Sequence, residues 1–268
     1  MTPKLFIRHL SHSYHSKKGE TAALSDISFS VDSGEFVAIV GPSGCGKSTL
    51  LSLICGLSSP DEGEIFIDGI PRSQYKTPIG YMLQKDHLLE WRSILSNALL
   101  GPEISHCITP AKREYVLSLL HNYGLGNFLS SKPSELSGGM RQRAALVRTL
   151  AMEPELLLLD EPFSALDYQT RLQVCDDISE IIREQKKTAL LITHDLAEAV
   201  SIADRIIVLS KRPASIKKIL PIRFSEAYNT PLQKRNAPEF PVYFQMVWEQ
   251  LCEPSEKTGE QNKGTNNW

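Results

Sequence analysis

Between Val40 and Ser52 the chain reads Val-Gly-Pro-Ser-Gly-Cys-Gly-Lys-Ser-Thr-Leu-Leu-Ser, and this run fixes how its surroundings must fold. Residues 41–48 fill the pattern G-x-x-x-x-G-K-[ST] of a phosphate-binding loop. Gly41, Gly44 and Gly46 permit positive φ and a tight turn, so that the amides of Pro42-Ser43-Gly44-Cys45-Gly46 and their neighbours can face a chain of phosphates. Lys47 supplies a point charge for the β and γ phosphates, and Ser48 a hydroxyl for Mg²⁺. Thr49, Leu50 and Leu51 begin a helix whose positive end faces the same anion. The strand such a loop must follow is present in Glu35-Phe36-Val37-Ala38-Ile39-Val40. A strand, a glycine loop and a helix in this order demand an α/β sheet.

At 268 residues the chain can form one large domain or two small ones. Its net charge of −2 leaves no basic excess, which excludes a sequence-independent nucleic-acid binder. The five cysteines, Cys45, Cys55, Cys107, Cys175 and Cys252, form no C-x-x-C pair and suit a reducing compartment. Met1-Thr2-Pro3-Lys4-Leu5 lacks the apolar core of a signal peptide, and no apolar run nears the ~20 residues of a membrane span. The expectation is a cytosolic chain that borrows any membrane role from a partner.

Residues 4–10 and 26–40 read as strands with a turn at Asp32-Ser33-Gly34, and residues 64–69 and 79–83 as two short strands. From about Trp91 to Leu136 the β-branched runs vanish and apolar residues recur at three and four, which predicts helices within an insertion of about 70 residues that ends before the apolar run at 156. Residues 156–159 and 189–192 are apolar runs of the buried parallel type, with a helix over 168–185 between them. Residues 205–209 and 216–220 read as two edge-like strands. Phe240, Phe244, Val247, Trp248 and Leu251 share one helical face, expected to dock on the core. Residues 254–268 are polar and rich in Gly, Asn and Lys, which predicts a disordered tail.

Two further constellations carry chemistry. Leu156-Leu157-Leu158-Leu159-Asp160-Glu161 is an apolar strand ending in two carboxylates, and ligands of parallel sheets gather at strand carboxyl ends. Asp160 suits a Mg²⁺ shell and Glu161 a proton acceptor for an attacking water; the alternative for the pair by itself is a cap on a following helix. Leu136-Ser137-Gly138-Gly139-Met140 opens a helix with an amide-rich N-terminus. It reads either as an ordinary N-cap or as a second anion site, which one phosphate loop could serve only from another subunit.

In this order the motifs resemble the ATP-binding subunits of ABC transporters, over roughly residues 4–222. The resemblance implies a RecA-like P-loop NTPase core with an antiparallel β subdomain and a helical subdomain inserted at about 88–155. It sets residues 1–225 as the ATPase domain, 226–253 as a helical extension and 254–268 as a tail. It also implies that Tyr14 stacks on adenine, and that Gln84 reaches Mg²⁺ and the attacking water beside Ser48 and Asp160. His194 would contact the γ-phosphate and orient the water for Glu161. Ser137, Gly138 and Gly139 would clamp the ATP of a second copy, with Asp167 at the dimer seam.

Within the family, residues 81–101 and Leu209-Ser210-Lys211-Arg212-Pro213 resemble the nitrate, sulfonate and taurine importers, some of whose relatives serve thiamine-pyrimidine precursors. Those proteins usually carry Pro before the Trp of this stretch, where Glu90 precedes Trp91 here. The implied assembly is a homodimer on the cytoplasmic face of the membrane. It binds ATP and Mg²⁺ beneath permease subunits and is fed by an external solute-binding protein. The rivals are an exporter-type ATPase, a non-transport ABC ATPase and an ATP sensor without turnover. Residues 85–94, with Leu88, Leu89 and Trp91 exposed, would dock on the permease; alternatively Trp91 plugs the hinge of the helical subdomain.

Overall fold

The computed structural model describes residues 2–16 and 19–252. The expected tail over 254–268 lies outside the described residues. Strands β1 (Leu5–Ser16) and β2 (Gly19–Val31) form a long antiparallel hairpin. With β4 (Glu62–Ile67) and β5 (Ile70–Pro71) they make a four-stranded antiparallel sheet in the order β2-β1-β4-β5. The turn after β2 closes with the Glu35 amide on the Asp32 carbonyl at 3.1 Å, and Gly34 takes its positive φ of 79°. Beyond it the chain changes sheet.

The second sheet has six strands. They are β3 (Phe36–Val40), β6 (Gly80–Met82), β7 (Leu156–Asp160), β8 (Thr188–Ile192), β9 (Arg205–Leu209) and β10 (Ile216–Pro221). Their order is β10-β9-β3-β8-β7-β6, parallel throughout except for β10. Strands β3, β7 and β8 are buried along their whole length, which explains their uniformly apolar sequences. Of β9 and β10, β10 alone is an edge: β9 lies between β10 and β3, so the reading of both as edge-like holds for one of them.

Alternate residues of this sheet serve different cores. Val37, Ile39, Leu156, Leu158, Leu190 and Ile192 pack towards α1 (Lys47–Cys55) and the antiparallel sheet. Leu157, Leu159, Ala189 and Leu191 pack towards the helices between β6 and β7. These are α2 (Ile94–Ala98), α3 (Leu100–Ile104), α4 (Pro110–Asn122) and α5 (Gly138–Leu150). The remaining helices are α6 (Tyr168–Glu184), α7 (Leu196–Ile202), α8 (Pro231–Lys234) and α9 (Glu239–Cys252). In α9, Phe240, Phe244, Val247 and Leu251 pack with Ala38, Val40, Val200 and Leu220, so this helix docks on the core. Trp248 does not join them and is half exposed. No helix among the described residues is long and apolar enough to cross a membrane.

Candidate functional site: a nucleotide site at the sheet's carboxyl edge

Strands β3, β8, β7 and β6 are adjacent and parallel, so their carboxyl ends line one edge. The phosphate loop leaves β3, His194 follows β8, Asp160 and Glu161 end β7, and Gln84 follows β6. Four segments far apart in sequence therefore meet at the place where open α/β sheets bind ligands.

The loop's glycines have local causes. Gly46 caps α1 with φ of 126°, and a Cβ there would stand 2.9 Å from Leu24 and 3.0 Å from the Ala23 carbonyl. Lys47 is buried, and its Nζ donates to the Gly41 and Pro42 carbonyls at 2.8 and 3.1 Å. Its ammonium thus lies over the loop. The Tyr14 hydroxyl, on an exposed ring at the β1–β2 hairpin, is 2.9 Å from Thr49 Oγ1 in α1. The antiparallel sheet in this way lends an aromatic ring to the loop's helix.

Ser48 Oγ donates to Asp160 Oδ1 at 3.2 Å, and the Tyr81 hydroxyl to Asp160 Oδ2 at 3.4 Å. Burial pushes the Asp160 carboxyl above its usual range, against the pull of Ser48, Tyr81 and Lys47. Burial and the Asp160 charge push the Tyr81 phenol up to about 12, so it stays a neutral donor. One carboxylate and one hydroxyl are hard oxygen donors that fit Mg²⁺, an ion usually held by few protein groups and completed by phosphate oxygens and water. Among the described residues no cluster of three or more His, Cys, Asp or Glu could hold a metal alone.

Glu161 is the focus of a second group. Gln84 Nε2 donates to Glu161 Oε2 at 3.0 Å, and His194 Nδ1 lies 3.1 Å from the same oxygen. Glu161 also adopts φ of 46°, an uncommon conformation for a non-glycine residue, and its amide donates to the Ile192 carbonyl at 2.9 Å. Backbone strain of this kind persists where the surroundings over-determine it, as at a reacting site. Ser164 holds the turn by donating from Oγ to the Glu161 carbonyl at 3.0 Å, while Gln84 Nε2 reaches Ser164 Oγ at 3.4 Å.

Ser137 caps α5, its Oγ accepting from the Met140 amide at 3.4 Å. No hydrogen bond or ion pair among the described residues joins Ser137, Gly138 or Gly139 to the phosphate loop or Glu161. Asp167 caps α6 by accepting from the Thr170 amide at 3.1 Å, which holds its carboxyl below the usual range. Ser137–Gly139 and the turn before Asp167 lie side by side: a Cβ on Gly138 would be 3.2 Å from Leu166. One on Gly139 would stand 2.7 Å from Thr170 Cγ2 and 3.1 Å from Val174 Cγ2. Both are β-branched side chains that give way poorly. Gly139→Ala should therefore destabilise the chain by about 1–3 kcal/mol, or several degrees in a thermal melt. An unchanged melting temperature would show that α5 and α6 separate without cost.

The stretch 85–94 departs from expectation at one residue. Leu88 is buried in the helical core and Leu89 half-buried, whereas Trp91 is 73% exposed. A ring so exposed plugs no hinge, which removes that alternative for Trp91. Sequence reasoning also missed Tyr81, Ser164 and Arg171. Arg171 Nη2 donates to the Leu166 carbonyl at 3.0 Å and Nη1 to Asp195 Oδ2 at 3.3 Å, tying the turn before α6 to the residue after His194. Nothing in the spacing of Arg171 distinguishes it from an ordinary helix-surface arginine.

A phosphate loop, a buried acid beside its serine, and a second acid gripped by Gln and His define a nucleotide-hydrolysing site of the P-loop class. The ABC transporter family profile matches residues 24–164. The chain is 46% identical over 247 residues to the uncharacterized ABC transporter ATP-binding protein YtlC of Bacillus subtilis (strain 168), covering 92% of this chain and 95% of that protein. It is 42% identical over 206 residues to the taurine import ATP-binding protein TauB of Yersinia pestis bv. Antiqua, covering 77% and 81%. Among solved structures it resembles the dimeric, post-hydrolysis ATP-binding cassette MJ0796 bound to ADP and Pi. That similarity has a TM-score of 0.70 at 30% identity and covers 82% of this chain and 99% of that one. The chain belongs to the ABC transporter family and is one of its ATP-binding, ATP-hydrolysing subunits.

Proposed function

We propose that this ATPase drives an importer of a small solute, of the nitrate, sulfonate, taurine or thiamine-precursor type. It works as a homodimer on the cytoplasmic face of the membrane, beneath permease subunits that an external solute-binding protein supplies. Two ATP molecules lie between the copies, each held by the phosphate loop of one and by Ser137, Gly138 and Gly139 of the other, with Asp167 at the seam. The similarity to a taurine import subunit supports the direction of transport, and the dimeric MJ0796 cassette supports the pairing.

The observation that carries the catalytic reading is the convergence of Gln84 and His194 on one oxygen of Glu161. Glu161 takes the proton of the attacking water, while Gln84 and His194 fix its carboxylate and the water's approach. Lys47 and the loop amides bind the transferred phosphoryl group as its charge spreads. Ser48, Gln84 and Asp160 would hold Mg²⁺, which would neutralise charge on the bound phosphates. Tyr14 stacks on the adenine. The ATPase domain spans 1–225, the helical subdomain about 88–155, and the helical extension 226–253.

Reconstitution with candidate permease and solute-binding subunits in lipid vesicles tests the reading. An importer's ATPase should rise several-fold when the loaded binding protein is added outside the vesicle. Stimulation by a solute inside, with no binding protein, would instead favour an exporter.

Trp91 is the anchor on which the permease docks. An exposed Trp beside half-buried Leu89 is the composition of an interface hot spot. Trp91→Glu should leave the lone subunit's melting temperature and basal ATPase within error. Uptake and co-purification with the permease should fall at least tenfold. A matching loss of stability in the lone subunit would make Trp91 a folding residue.

A further inference from the structure

Glu198 is a buried acid for which the nucleotide chemistry has no use. It lies in the first turn of α7 with 3% of its side chain exposed, and its Oε2 accepts from the Thr193 hydroxyl at 2.6 Å. A buried carboxylate is costly unless hydrogen bonds and opposite charge compensate it. Two guanidinium groups supply that charge. Arg171 of α6 brings Nε to 3.8 Å from Glu198 Oε1, and Arg235, at the carboxyl end of α8, attracts the same acid. The Nε of Arg171 and the Nε and Nη2 of Arg235 are buried without a hydrogen-bond acceptor among the described residues. Both groups therefore act on Glu198 through charge rather than through a hydrogen bond.

What Glu198 holds is the backbone around His194. The Thr193 hydroxyl donates to Glu198 and accepts from the Asp195 amide at 3.0 Å, so it brackets the residue between them. Asp195 in turn accepts from the Ala197 and Glu198 amides at 2.8 and 3.2 Å, and from Arg171 Nη1 at 3.3 Å. The His194 side chain is 59% exposed, yet its Nδ1 lies 3.1 Å from Glu161 Oε2. A ring so exposed is placed by its backbone rather than by packing. That backbone is pinned at Thr193 and Asp195, and the pin at Thr193 runs to Glu198.

We propose that Glu198 is a positioning residue for hydrolysis: through Thr193 it fixes the backbone that presents His194 to Glu161, and Arg235 makes α8 part of the same arrangement. α8 packs on both α6 and α7, and the Leu232 amide donates to Asp176 Oδ1 of α6 at 2.8 Å, so Arg235 is held against this cluster. The charge on Glu198 matters because a hydroxyl bonds a carboxylate more strongly than a neutral acid. Burial pushes the Glu198 carboxyl up to about 7, against the pull of Thr193, Arg171 and Arg235, while Asp195 adds to the rise. The Glu198 charge also acts on Cys175 of α6, whose thiol burial keeps neutral. Glu198 is thus ionised above about pH 7 and neutral below it, and its grip on Thr193 weakens as the pH falls through that value.

This inference rests on the reading that His194 serves Glu161, and the test separates the two. At about pH 8, Glu198→Gln should lower the kcat of ATP hydrolysis about tenfold with KM within about twofold, as expected for losing one charge-assisted hydrogen bond. At about pH 6 the parent carries a neutral acid there as well, and the gap should shrink to about two- or threefold. In a His194→Ala background, Glu198→Gln should have no further effect, because the two act in series. Arg235→Gln removes a counter-charge and should move the acidic limb of the parent's kcat profile to higher pH; it serves if Glu198→Gln does not fold. An unchanged limb in Arg235→Gln would remove α8 from the arrangement. If Glu198→Gln matches the parent at pH 8, or its loss persists undiminished in His194→Ala, Glu198 does not position His194. Should His194→Ala itself turn over at the parent rate, the reading of His194 falls instead. Amide exchange at residues 193–195, which should quicken in Glu198→Gln, then still decides whether Glu198 holds that backbone.

Discussion

Glu161→Gln should bind ATP as tightly as the parent chain and hydrolyse it at least about a hundredfold more slowly, the range expected for losing a general base. The amide has the carboxylate's shape, so the turn held by Ser164 and the Ile192 carbonyl should survive, as should the contact with His194. What disappears is the basic oxygen on which Gln84 and His194 converge. Binding without turnover should trap the closed state, so gel filtration should give a dimer with ATP and a monomer with ADP. Single-turnover kinetics beside calorimetric affinities separate the chemistry from the binding. Should the variant hydrolyse ATP at the parent rate, Glu161 is not the base, and its left-handed backbone is only a feature of the turn.

The parts of this site that were legible in the sequence are those whose chemistry is local. The loop around Lys47, the strand ending in Asp160 and Glu161, and the Ser137 cap each declare themselves within a dozen residues. Distant pairings were not legible. Nothing in the runs 36–40, 80–82, 156–160 and 188–192 gives the order β3-β8-β7-β6, yet that order alone brings Gln84 and His194 to the same oxygen of Glu161. The strand pattern is legible only at the hairpin's ends because residues 11–15 and 19–25 alternate little and face solvent in part. Leu88 was expected at the surface because its neighbours are polar, but Asn97 and Arg148 satisfy that backbone, Arg141 binds the Asp86 carboxylate, and Leu88 turns inward. Gly139 shows the reverse case. A motif glycine expected to face a phosphate is also required by the close approach of α5 to α6.

Lys47→Ala should reduce ATP affinity by a hundredfold or more while leaving the fold in place. The size follows from the interaction lost: a charge-assisted hydrogen bond contributes about 1.5–3 kcal/mol, and Lys47 would make more than one to the phosphates. The fold should tolerate the change because the loop is shaped by other groups. Gly46 keeps its positive φ against Leu24 and Ala23, and the Cys45 amide still donates to the Pro42 carbonyl at 3.2 Å. The loss on the protein side is two bonds from Nζ, to the Gly41 and Pro42 carbonyls, which water at the loop's mouth can replace. A buried ammonium is also costly to desolvate, and its removal offsets part of that loss. Titration calorimetry with ATP and a circular-dichroism melt should therefore diverge, affinity collapsing while the melting temperature moves by no more than a few degrees. If affinity persists, phosphate recognition rests on the loop amides and the α1 N-terminus alone. If instead the melt collapses with the affinity, Lys47 holds the loop together and its effect on binding is indirect.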